Sequence, residues 1–245
     1  MILYPIVKMY NLCNRILNKN DSRLIFFEYA IQFAKEEFDQ VQISDFKSIS
    51  DSIGYFHDPY YRRTLTETPV NQFARVGSYA LELYLATRNN LYLAYVNSVA
   101  KFIRDNLIDT LNYQYWMYFP GKQLSNNSYE DLGHSILTIQ FIILCYENKI
   151  VFNDSNILKL LNLFNNQIFI STNQTFREYL VGNQISKDPI FSYYFLLSKY
   201  DFKIYKSLST WIDLNPLILN SYSFLNHIGN KLILNASLKY YFTRE

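Results

Sequence analysis

HSILTIQFIILCYENKIVFNDSNILKLL, His134–Leu161, decides the fold class of this chain. Its apolar residues recur at three-and-four spacing on both sides of a short polar turn, the pattern of two amphipathic helices folded back as a hairpin. Two other stretches share this layout: GSYALELYLATRNNLYLAYVNSVAKFI from Gly77 and FSYYFLLSKYDFKIYKSLSTWI from Phe191. Ser78, Ser135 and Ser192 open the three units about 57 residues apart. A unit of helix, turn and helix cannot bury its apolar face alone, so neighbouring units stack. The expected fold is mainly α, one domain over residues 1–245, with stacked helical hairpins forming an open solenoid or an α/α toroid, complete or incomplete.

Periodicity extends the helices beyond the repeat, to about 2–19, 22–39, 69–88, 91–109, 129–148, 155–168, 190–200, 203–213 and 216–240. Ser22, Ser128 and Ser155 stand where N-caps belong, and Pro69 follows Thr68 at a first helical position, where a missing N–H costs nothing. Leu81, Leu83, Ile136, Ile139, Phe141, Ile142, Cys145, Leu158, Leu161 and Phe164 are the expected core. The connections at about 40–68, 110–128 and 169–189 precede the first helix of each unit and should gather at one end. Loops of this size in compact domains are commonly functional.

Composition removes several function classes. Lys plus Arg number 23 against 21 Asp plus Glu, without the basic excess of a dedicated nucleic-acid binder. The longest apolar run, SILTIQFIILCY, is about a dozen residues, short of the roughly 20 that span a bilayer. The N-terminus lacks a basic leader and a small-residue cleavage site, so a soluble chain, cytoplasmic by default, is expected. Cys13 and Cys145 lie in apolar helical patterns as buried thiols, and three scattered histidines make no zinc signature. No Gly-rich phosphate loop is present, so neither metal nor cofactor is expected. The excess is aromatic: 23 Tyr and 19 Phe beside 6 Gly and 6 Pro. Rings with polar tips fill a core or stack on sugars.

Three segments resemble one family group: TPVNQFARVGSYALELYLATRNNLYL, YWMYFPG and YEDLGHSILTIQFIILCYENKIVFNDSNI, together covering roughly residues 66–165. They are similar to α/α-toroid carbohydrate-active proteins of the glucuronyl C5-epimerase-like and polysaccharide-lyase-like kind. The resemblance runs through Pro69, Asn71 and Gln72 opening an inner helix, Trp116 and Tyr118 in an aromatic strand, and Glu130, Asp131 and His134 opening the next inner helix. It implies an acidic oligo- or polysaccharide as partner, and elimination or C5 epimerisation of a uronic acid as the reaction. A complete toroid of six hairpins needs about a dozen helices, whereas the periodicity supplies nine or ten.

The candidate site combines these positions with their neighbours. Glu130 and His134, four apart, should share a helix face and orient or move protons together with Tyr118. Asp131 is a binding candidate, with helix capping as the competing reading. Asn71, Arg75 and Tyr79 fall on one stripe with Gln72 beside them, either lining a sugar cleft or facing solvent. Arg75 is the expected carboxylate fork. Trp116 and Tyr118 should offer stacking surface, Tyr129 is a further binding candidate, and His57 and Arg62 lie in a loop leading into the same helix. Two alternatives stay open: a helical scaffold or effector that binds a protein or glycan without chemistry, and a glycoside hydrolase. Hydrolysis needs carboxylates about 5–9.5 Å apart across the bond, which adjacent Glu130 and Asp131 cannot supply alone.

Overall fold

The computed structural model describes residues 3–17, 21–56, 68–120, 129–173, 175–186 and 194–214. The expected helix at 216–240, the candidate cap Ser128, Ser192 of the repeat, and His57 and Arg62 lie outside these residues. The described chain is mainly helical, with α1 Leu3–Ile16, α2 Arg23–Glu37, α3 Val70–Thr87, α4 Asn90–Asp105, α5 Leu132–Glu147, α6 Asp154–Leu163 and α7 Phe202–Leu214. A 3-10 segment, Tyr194–Lys199, precedes α7, and wide π turns extend α2 and α6. Among the described residues no helix is long and apolar enough to cross a membrane.

Helix α3 is the centre of the packing, resting on α4, α5 and α1, while α1 pairs with α2. Its burial follows from its sequence: twelve of its residues, Val70 to Leu83 with few gaps, are buried, so it is apolar nearly all round. The two-residue link Arg88–Asn89 folds α4 back on α3; Arg88 takes a left-handed φ of 58° and the Asn89 side chain caps Leu91. Helices α3 and α5 run in parallel, because Asn71 and Glu130 meet at their starts while Gly77 meets Phe141 further along. A Cβ on Gly77 would stand 2.7 Å from the Phe141 ring, so glycine is what lets these helices approach. Helix α1 joins the same layer through buried Asn11, whose amide donates to the Glu82 carboxylate at 2.7 Å, and through Tyr4, which accepts from Gln140.

The core expectations hold for Leu81, Leu83, Ile139, Phe141, Ile142, Cys145 and Phe164, all buried. Ile136 and Leu161 are half-buried, and Leu158 is 58% exposed, contrary to expectation. Helix α6 carries two apolar stripes one residue apart, and it turns Ile157, Leu160 and Leu163 inward rather than Leu158. Its cap is Asn153, in a reciprocal box with Asn156, rather than Ser155. Ser22 makes no capping bond; Asp21 instead accepts the Arg23 N–H at 3.0 Å. Both cysteines are free, and Cys145 is buried.

The strands are short antiparallel pairs: β1 Phe46–Ser50 with β2 Ile53–Phe56, β3 Ile108–Asp109 with β4 Gln114–Tyr115, and β5 Phe169–Ile170 with β6 Thr175–Phe176. Single bridges extend the last two pairs, Met117 to Tyr129, Asp131 to Tyr179 and Arg177 to Ile185. Tyr118 O accepts from Val70 N, Glu178 O from Leu132 N and Glu130 O from Leu180 N. The loop segments around 114–118, 129–131 and 176–186 therefore meet at the N-terminal ends of α3 and α5, which brings together described parts of two of the three expected connections, those at 110–128 and 169–189.

Candidate functional site

Residues Tyr129, Glu130 and Asp131 form an extended piece whose alternation decides the site. Tyr129 and Asp131 each pair with a neighbouring segment, and in extended chain they point to the face opposite Glu130. Glu130 turns inward and is fully buried. Its Oε2 accepts from the Trp116 indole N–H and from Thr138 at 3.3 Å. Oε1 has no hydrogen-bond partner, and neither does the buried Oδ1 of Asn71. Burial pushes the carboxyl up to about 8; the Trp116 N–H opposes this, the Asp131 charge adds to it, and Thr138 and the more distant Asn71 amide oppose it. Ser135 and buried Tyr194 share a hydrogen bond of 2.6 Å beside this cluster, and burial raises the Tyr194 phenol.

Asp131 is the N-cap of α5, accepting the His134 N–H at 3.0 Å. Its other oxygen contacts His134 Nδ1 at 2.5 Å. The expected pair of Glu130 with His134 is thus replaced by Asp131 with His134, because Glu130 precedes the helix and its extended backbone aims it at the core. A carboxylate only accepts, so Nδ1 carries the hydrogen and Nε2 of a neutral His134 is the proton acceptor. The Tyr118 ring lies edge-on to His134 at 5.3 Å, and the His134 side chain is 52% exposed. These three candidates are together at the surface.

Trp116 provides no stacking platform: it is wholly buried, since strand alternation sends it inward as the donor to Glu130. The half-buried tyrosines on the other parity take that place, with ring centroids 6.2 Å apart for Tyr113 and Tyr115 and 5.9 Å for Tyr115 and Tyr129. Their track ends at a cleft of about 310 Å³ lined by Tyr129, Tyr179, Val181, Gly182, Asn183 and Gln184. Period-two alternation in the aromatic strand was the signal available for Tyr113 and Tyr115; Tyr179, far off in sequence, had none.

The stripe of Asn71, Arg75 and Tyr79 divides. Arg75 is exposed, Gln72 is half-buried, and Asn71 is buried against the Glu130 cluster. Tyr79 is a core residue that donates to Ala34 O at 2.9 Å and packs edge-on against Phe38, so its expected place in a cleft is corrected. Layers pack on both sides of α3, which leaves little of a polar stripe open to solvent. Among the described residues no group of three His, Cys, Asp or Glu could hold a metal ion. No family model matches this chain, and neither a curated protein nor a solved structure matches it.

Proposed function

We propose that the chain binds an acidic, uronic-acid-containing glycan at the N-terminal ends of α3 and α5, and acts on it by elimination or C5 epimerisation. The observation that carries this is the exposed Asp131–His134 pair beside Tyr118, next to a tyrosine track that leads into a cleft. Asp131 orients the imidazole, His134 Nε2 takes the C5 proton, and Tyr118 is positioned to return or deliver one. Tyr113, Tyr115 and Tyr129 supply ring faces for sugar stacking, and Arg75, exposed on α3, adds positive charge. Helix α3 packs against α1, α4 and α5, and α1 against α2, and this succession of packed helices supports reading the chain as part of an α/α toroid.

A glycoside hydrolase has less support, since Glu130 faces the core while Asp131 faces outward, so the two do not straddle a bond. A protein-binding scaffold is favoured by one feature. Helix α2 exposes Ile25, Phe26, Tyr29 and Phe33 along one side, a stripe of the kind that marks partner surfaces.

The test is a screen of uronic polysaccharides that follows absorbance of an unsaturated product and solvent-deuterium uptake at C5, with His134→Ala as control. Absorbance identifies a lyase, and deuterium uptake without cleavage an epimerase. Activity that survives in His134→Ala would remove this residue from the mechanism. If no acidic glycan binds, the glycan reading fails and the scaffold reading replaces it.

A further inference from the structure

Helix α2 is apolar on two sides and covered on one. Leu24, Ile31 and Ala34 turn inward, while Ile25, Phe26, Tyr29 and Phe33 on the opposite side are 54–79% exposed. These four follow at i, i+1, i+4 and i+8, so they form one continuous stripe. A helix with apolar residues all round is suited to burial all round, and the stripe therefore calls for a second contact. Beyond Arg23, which pairs with Asp21, the exposed charges of α2 are Glu28 and Glu36. Acidic flanks do not suit an anionic lipid surface.

The stripe is complementary to itself. When two copies of α2 lie antiparallel with Tyr29 at the centre, a residue before Tyr29 in one copy is level with a residue about as far after it in the other. Tyr29 then meets Tyr29, Phe26 meets Phe33 twice, and Ile25 stands beside Gln32 twice. The charges favour this direction. The first turn of α2 holds Arg23 and no acid, and its last turn holds exposed Glu36. Antiparallel pairing sets Glu36 of one copy at the start of α2 in the other, where the helix dipole and Arg23 favour an anion. Three rings and an isoleucine exposed to this extent offer about 500–600 Å² per copy, so the pair buries about 1,000–1,200 Å², the low end of specific interfaces. We propose that the chain forms a two-fold dimer through α2, with Tyr29 on the axis and Phe26 against Phe33 on either side of it. Pairing of two copies accounts for the stripe without a foreign protein.

The test is sedimentation of the full chain over a range of concentrations. The 29.2 kDa chain should give way to a species of twice that mass as its concentration rises through the micromolar range. Tyr29→Glu should stay monomeric, with the circular dichroism and, at dilutions where wild type is also monomeric, the melting temperature of wild type. Cross-linking reads the register. Tyr29→Cys, made with Cys13→Ser, should oxidise to a covalent dimer, because a residue on a two-fold axis meets its own copy. Phe26→Cys in the same background should cross-link only when Phe33→Cys is added. A wild-type chain that remains monomeric at about 100 μM overturns the proposal; a lowered melting temperature in Tyr29→Glu would then show the stripe covered from within the same chain. A dimer that persists in Tyr29→Glu, or that Tyr29→Cys fails to cross-link, overturns it as well.

Discussion

Glu130 Oε1 and Asn71 Oδ1 are two buried oxygens, one at the start of α5 and one in the first turn of α3, and neither has a hydrogen-bond partner. Two acceptors without donors are costly in a dry site. A proton on Oε1 changes this, because Oε2 is already occupied by Trp116 and Thr138. A neutral Glu130 carries no buried charge, and its Oε1 becomes a donor rather than a bare acceptor.

Stability should accordingly fall as pH rises. The folded carboxyl is raised to about 8 from 4.5, so the folded state binds the proton more tightly than the unfolded state between these values. The contribution is complete below pH 4.5 and is lost as pH climbs through about 8, a loss on the order of 5 kcal/mol. Glu130→Gln mimics the neutral acid: denaturant titrations should show a flatter pH profile and greater stability than wild type at pH 9. A wild-type profile with no decline between pH 5 and 9 would contradict a protonated Glu130.

Asp131→Asn separates capping from histidine orientation. Asparagine caps a helix about as well as aspartate, so the melting temperature should stay within a few degrees. The charge facing His134 Nδ1 is removed, so turnover of an acidic glycan should drop by about tenfold or more with little change in binding. Equal losses in kcat and in stability would make the residue a cap alone.

Gly77→Ala tests the approach of α3 to α5. Alanine gains about 0.5–1 kcal/mol of helix propensity, but its Cβ meets the Phe141 ring at 2.7 Å and Val99 at 3.2 Å in a filled core. The expected net loss is about 1–2 kcal/mol by urea denaturation. Adding Phe141→Leu should make the double variant less destabilised than the sum of the singles, while Phe141→Ala alone should cost about 3–5 kcal/mol.

Lys149→Gly addresses the turn between α5 and α6. Lys149 is exposed and takes a φ of 59°, a left-handed conformation that costs an ordinary residue about 1 kcal/mol and glycine almost nothing. Melting should rise by about 2–4 °C. A fall would show that the lysine side chain holds the turn.

How far the site was legible depended on range. Asp131, His134 and Tyr118 lie within 17 positions of one another, and the start of α5 makes the cap and the Asp131–His134 hydrogen bond local properties of DLGH. The inward turn of Glu130 was not legible from helix periodicity, because the residue sits two positions before the helix, in chain that alternates with a period of two. Trp116 was misplaced for the same reason: a large ring reads as stacking surface until a buried carboxyl claims its N–H.

Apolar periodicity and hairpin spacing by themselves determined a mainly helical chain, the extents of α3 and α5 to within a few residues, and most of their core. These features follow from which side chains avoid water, a property each residue carries with it. Tertiary structure alone decided which of two apolar stripes on α6 turns inward, that Tyr79 is core, and that Tyr179 pairs with Asp131 nearly 50 residues earlier. Those outcomes depend on what packs opposite each residue, and pairing between distant segments leaves no local pattern in either one.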